Sequence, residues 1–201
     1  MKRIGIIFGM ENTFPPALVE KIKSIAVWDT VGAMGLPRYM HGKRVDEFRF
    51  TNTRLSDKVE RGFHAVALDE QRADFTPTLW DDAGNVTQMV FPGAHADVGG
   101  GYTTRNNESG LSDITLDWMV EQLKEIGVRF NQPACAQCTP DYRGTAHRPW
   151  KYPPFDLLDN AAPRRFKGIP EHPSIAQRMQ AGPVRPDPKV NPEVYAPANR
   201  P

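Results

Sequence analysis

Cysteine is nearly absent from this chain: among 201 residues only Cys135 and Cys138 carry sulfhydryl groups, too close together to staple a secreted fold. That scarcity excludes a disulfide framework and agrees with synthesis in a reducing compartment. Cys-x-x-Cys is also half of a zinc site, but no second Cys/His pair stands at a matching spacing, so two loop cysteines are expected, with no metal and no cofactor. Long apolar runs are missing too. None approaches the roughly 18 residues of a membrane-spanning helix, which leaves only peripheral contact with a bilayer. Lys2 and Arg3 precede a short apolar run, Ile4 to Met10, that lacks a small-x-small cleavage signature and reads as a strand. Net charge is equally scarce: 25 basic against 24 acidic residues leave +1, and no field of one sign favours nucleic acid or anionic lipid.

What is abundant is proline and glycine, 19 and 16 residues, in a chain of mean hydropathy -0.53. Fourteen of the 19 prolines lie between Asn131 and Pro201. Residues 1–130 are therefore expected to form a folded unit, and residues 131–201 a mostly irregular extension wrapped on it, with one short helix near Ser174 to Met179 and a frayed end. Within the first part, Pro15 and Pro16 can open a helix through Lys23, and Ser24 to Trp28 reads as a buried strand. From Ser56 the residues Val59, Phe63 and Val66 recur at helical spacing, predicting a helix to about Leu68. Val86 to Phe91 is a second strand. A helix follows from about Ser112, with Ile114, Trp118, Met119, Leu123 and Ile126 on one face and Gly127 as its stop. Strands alternating with helices give an α/β class with a parallel sheet. Even counting Ile4 to Phe8, the strands are too few for a complete open sheet, so a partial one is expected.

Two ionisable residues follow directly on the two strands. Asp29 ends the first, within VWDTVGAMGLP, and His95 lies just past the second, within FPGAHADVGGGY. Reactive groups of open α/β sheets collect at the carboxyl ends of strands, and acid before histidine is the chain order of a hydrolase relay. Each has a plainer alternative: Asp29 folding back on the amides of Thr30 and Val31 in an Asx turn, and His95 as a loop histidine. Asp97, beside Gly99-Gly100-Gly101, reads as a loop-fixing residue, since those glycines do not open into a helix that could cradle a phosphate. His64 and the pair Asp69-Glu70 read as polar groups of the predicted helix. His41, His147 and His172 read as surface or loop residues.

A relay needs a nucleophile, and the five serines, Ser24, Ser56, Ser109, Ser112 and Ser174, all lack the glycines two positions before and after that a nucleophile elbow requires. Gly5 and Gly9 have that spacing, but Ile7 between them has no nucleophilic atom. VWDTVGAMGLP, HAVALDE with RADFTPTLW, FPGAHADVGGGY and LSDITLDWMVEQ, running from Val27 to about Gln122, resemble successive motifs of the α/β-hydrolase family that includes the type VI secretion phospholipase effectors. HPSIAQRM is a weaker match. The resemblance implies a serine lipase or phospholipase domain in which Asp29 is the acid and His95 the histidine. It also implies a serine in a glycine-flanked elbow, typically G-F-S-R-G, upstream of the acid. Residues 1–130 then correspond to the C-terminal part of such a catalytic domain. The implied substrate is a phospholipid or other carboxylic ester. The implied partners are an N-terminal half or a component of the secretion apparatus, and the implied route is synthesis in the bacterial cytoplasm with delivery to a target cell envelope.

Two other readings compete. One is a non-catalytic accessory or binding module that keeps the fold without the chemistry. The other is a metal-dependent hydrolase built on Asp29, His95 and Asp97.

Overall fold

The run from Ser24 to Trp28 is short, apolar and followed by a turn-forming aspartate, and it forms strand β1 (Ser24–Trp28). The computed structural model describes residues 24–31, 38–40, 43–45, 53–130, 138–158 and 161–200. Expectations placed on the strand Ile4 to Phe8, the helix Pro15 to Lys23, His41 and Cys135 lie outside those residues. Along the chain come a small antiparallel pair, β2 (Arg38–Met40) with β3 (Lys43–Val45), then β4 (Arg61–Ala67) and β5 (Val86–Phe91). The helices are α1 (His95–Gly99), α2 (Gly110–Glu125), α3 (Phe155–Leu158) and α4 (Pro173–Gln180), and a final antiparallel pair joins β6 (Pro183–Val184) to β7 (Glu193–Val194).

The centre of the fold is a three-stranded parallel sheet in the order β1-β4-β5. With several helices around it, the architecture is mixed helix and strand, consistent with an α/β class. Its middle strand corrects the sequence reading. Val59, Phe63 and Val66 do stand at helical intervals, yet Arg61–Ala67 is extended and almost entirely buried. A parallel strand covered on both faces loses the polar alternation that would mark it, and a short apolar run then mimics either period. Phe63, Ala65 and Ala67 enter the main core, while His64, one position out of phase, faces the other side.

Helix α2 covers the first of those faces. Its buried residues Leu111, Ile114, Met119 and Leu123 meet Phe63, Ala65, Ala67 and Phe91, and Trp118 and Ile126 pack at the margin, as their spacing predicts. Burial of this set is worth about 25 cal/mol per Å² of apolar surface, the dominant favourable contribution to such a sheet–helix layer. The hydroxyl of Thr115 donates to the Val98 carbonyl at 2.7 Å, tying α2 to α1.

Proline-rich does not mean loose here. Pro170 and His172 run beside β5, where the Val90 N–H donates to the Pro170 carbonyl and the His172 N–H donates to the Val90 carbonyl, both at 2.9 Å. Helix α4 forms where the sequence predicts one, and its Ile175 joins Leu68, Val90 and Ile169 in a second core. The frayed end is a further correction: the Arg200 Nε donates to Glu171 at 2.8 Å, and the Asn199 side chain donates to the Leu68 carbonyl at 2.9 Å. Cys138 is disulfide-bonded, where the sequence reading expected reduced loop cysteines.

Candidate functional site

Strand register brings the site together. Trp28 pairs with Ala65 and Phe91 with Ala67, so the chain leaves β1 and β5 at the same edge of the sheet, with the end of β4 between them. Asp29 turns the chain there with φ of 40°, a left-handed conformation that aspartate tolerates better than most residues. The alternative Asx turn does not form: the Thr30 N–H donates instead to His64 Nε2 at 3.1 Å. The Asp29 carboxylate, completely buried, turns inward. Its Oδ1 accepts the Ala67 N–H at 2.8 Å and Arg164 Nη1 at 2.6 Å, and its Oδ2 accepts Arg164 Nη2 at 2.9 Å. His95 Nδ1 lies 2.7 Å from the same Oδ2. Burial by itself would raise the Asp29 pKa, but the Arg164 charge and the hydrogen bonds from His95 and Arg164 outweigh it and hold the carboxyl well below the usual carboxylate range.

His95 reaches this point through a tight turn. Gly93 has φ of 110°, and a Cβ there would meet the Asp97 Cβ at 2.5 Å, so no other residue fits. The loop's amides are then claimed one by one. Gly93 N–H donates to Asp69 Oδ2 at 2.7 Å, Ala94 N–H to Asp97 Oδ2 at 2.8 Å, and His95 N–H to Glu70 Oε2 at 3.2 Å. With an ionised acceptor at Asp29, the ring hydrogen of His95 sits on Nδ1, and the neutral imidazole presents a bare Nε2. Among the described residues nothing hydrogen-bonds that nitrogen, and the side chain keeps 31% of its exposure. The edge of Phe75 packs against the ring with centroids 5.0 Å apart.

Further charges sit around the pair. Glu70, fully buried, receives Arg72 Nε at 2.9 Å and Nη2 at 2.7 Å, and these contacts override burial to lower its pKa. The Arg72 guanidinium in turn lies 3.5 Å from the Phe75 centroid and 4.5 Å from that of Phe155. Asp97 is the loop-fixing residue expected from sequence, but its partner was missed: His147 Nδ1 is 2.6 Å from Asp97 Oδ1, and the His147 N–H donates to Oδ2 at 3.0 Å. Tyr102 stacks on the same imidazole at 3.4 Å. His147 is a loop residue, as expected, but one locked to a buried carboxylate, and no sequence spacing pairs it with an aspartate 50 positions earlier. His172 is a partly buried residue outside regular structure, as expected, and it also stacks on Phe91 at 4.6 Å with Ser174 Oγ 2.9 Å from its Nδ1.

His64, expected on a helix face, is fully buried on β4. Since Nε2 accepts from Thr30, its hydrogen is on Nδ1, which faces Gln88 Oε1 at 3.4 Å. Desolvation drops its pKa from 6.5 to about 4, so it is a neutral clamp on the Asp29 turn and not a proton carrier. The metal-dependent reading finds no support in this arrangement. Asp97 turns to His147 and the loop amides, the Asp29 oxygens are taken by Arg164 and Ala67, and among the described residues no group of three or more His, Cys, Asp or Glu could hold a metal ion.

Residues 10–122 match the family described as type VI secretion system phospholipase effector, Tle1-like, catalytic domain. No curated protein matches the chain. A solved structure, that of an uncharacterized protein from Pseudomonas aeruginosa, is 24% identical over 59% of this chain, with a TM-score of 0.39. The matched part is 19% of that longer protein. With more than half of its length inside one family, this chain belongs to the Tle1-like phospholipase effectors of type VI secretion, and the part it matches is their catalytic domain.

Proposed function

We propose that this chain carries the acid and the histidine of a serine-type ester hydrolase with an α/β-hydrolase-like sheet, acting on phospholipids after delivery by type VI secretion. The observation that carries the reading is the 2.7 Å contact between Asp29 Oδ2 and His95 Nδ1 at the carboxyl edge of a parallel sheet. In this scheme His95 Nε2 removes the proton from a serine hydroxyl as its oxygen attacks the ester carbonyl carbon. The same nitrogen then hands that proton to the departing alcohol, leaving an acyl-enzyme that water cleaves by the reverse proton path. Asp29 remains ionised throughout, holding the ring in one tautomer and stabilising its cation.

The serine is assigned outside the five in this chain, to the glycine-flanked elbow that the family carries upstream of the acid. Ser109 Oγ donates to Asp113 at 3.1 Å, Ser112 Oγ to the Ser109 carbonyl at 2.9 Å, and Ser174 engages His172. These engagements also favour the second reading, an accessory module that keeps the sheet without turnover.

Vesicles of phosphatidylcholine distinguish the two. The chain combined with a family N-terminal half bearing the elbow is expected to release fatty acid and to bind a serine-directed fluorophosphonate, and to lose both with His95→Ala. Absence of release from every such combination, or release indifferent to His95→Ala, overturns the hydrolase reading in favour of the accessory one.

A further inference from the structure

Resting on that reading and extending it, we propose that Arg164 is a positioning residue of the relay, keeping Asp29 ionised and leaving it one free lone-pair direction, which faces His95. Arg164 comes from a segment without regular structure, 135 residues after Asp29. Its guanidinium meets the carboxylate as a two-pronged fork, Nη1 to Oδ1 at 2.6 Å and Nη2 to Oδ2 at 2.9 Å. An ionised carboxylate accepts about four hydrogen bonds. Three are taken by Arg164 and the Ala67 N–H, so the fourth, on Oδ2, can only serve His95 Nδ1. A carboxylate held by the histidine alone could rotate and swap its oxygens. This one cannot.

The rest of the arginine is arranged around that task. Nη1 also donates to the Ala67 carbonyl at 2.7 Å and Nη2 to the Phe75 carbonyl, so the prongs span the end of β4 and the Phe75 turn that packs on His95. Nε is buried, with no hydrogen-bond partner among the described residues. Behind it, Asn199 Nδ2 donates to both the Arg164 carbonyl, at 3.2 Å, and the Leu68 carbonyl, at 2.9 Å, clamping the arginine backbone to the end of the central strand. The charged or titratable groups bearing on Asp29 are Arg164 from this segment, His95 from α1 and His64 from β4.

Carbon-13 NMR of the Asp29 carboxyl and the proton spectrum of His95 Nδ1–H in the 201-residue chain test the assignment without substrate. With Arg164→Met the Asp29 titration midpoint is expected to rise by about one pH unit or more, a tenfold change in proton concentration, and the Nδ1–H resonance to broaden. Arg164→Lys keeps the charge but loses the fork, so the midpoint should stay low while the resonance still broadens. An unchanged midpoint and resonance in Arg164→Met overturn the proposal. Should that variant fail to fold, Arg164→Met with Asp29→Asn decides: recovered cooperative unfolding identifies an uncompensated carboxylate as the cause, and continued failure makes Arg164 a packing residue only. In the serine-complemented enzyme, Arg164→Lys should lower kcat about 10- to 100-fold at constant KM. Inactivity of the native combination would count against the hydrolase reading alone, since the carboxyl titration is read independently.

Discussion

Residues 24–130 and residues 138–200 reach burial by opposite means. The first region does it with apolar side chains on a sheet and a helix, Phe63 and Phe91 against Leu111, Met119 and Leu123. The second has little regular structure, and its largest fully buried side chain is an arginine, Arg178. That guanidinium sends Nη1 to the carbonyls of Tyr142, at 2.7 Å, and Gly144, at 2.8 Å, and Nη2 to that of Arg185 at 3.2 Å. Irregular backbone buried without a ladder leaves carbonyls in want of donors, and a five-donor side chain supplies several at once. Arg164 repeats the device with the carbonyls of Ala67 and Phe75. A proline-rich segment can therefore be an integral part of a core when arginines replace the missing ladder.

The two regions meet at Asp29, and the largest effect is expected there. Asp29→Asn should lower ester hydrolysis by the serine-complemented enzyme about 10⁴-fold through loss of the His95 tautomer, read as kcat. A fall below tenfold would detach the acid from the chemistry. Next, Arg178→Met should cost about 3–5 kcal/mol in urea unfolding, because buried carbonyls lose their donors, and Phe63→Ala should cost about as much through its cavity. A loss under about 1 kcal/mol for Arg178→Met would break the parallel between the regions.

Acid sensitivity compares them again. His64 in the first region and His172 in the second are both lowered from 6.5 to about 4, each by desolvation first. Between those values the unfolded chain binds protons that the folded one refuses, so stability is full above 6.5 and declines as pH falls toward about 4. For His64 the loss is on the order of 3 kcal/mol. His64→Gln should flatten the pH dependence of urea unfolding more than His172→Gln, since His172 is only partly buried. Asp29, held low, adds its own loss only below the ordinary carboxylate range. The smallest effect is Tyr195→Phe, which removes hydroxyl contacts to Asp69 at 2.9 and 3.0 Å and should lower stability by about 1 kcal/mol.

The same contrast explains what the sequence discloses. Ser24 to Trp28 and Val86 to Phe91 are legible as short runs rich in β-branched and apolar residues bounded by turn residues, and the face from Ile114 to Ile126 because one-sided burial writes a helical period into the chain. Strand β4 is not, because burial on both faces erases it. Asp29 and His95 stand out through position, each just past a strand and among turn residues. Arg164, His147 and Glu70 act through partners that lie between 25 and 135 residues away along the chain, and no local spacing encodes such a distance. Asp69-Glu70 reads in the sequence as a polar pair, but its purpose, anchoring the amides of Gly93 and His95, emerges only from strand register.

The seam between Val90 and the backbone of Pro170 to His172 has a directional consequence. By occupying the outer flank of β5 near its carboxyl end, the chain caps its own sheet on the histidine's side, so a further strand is excluded from that position.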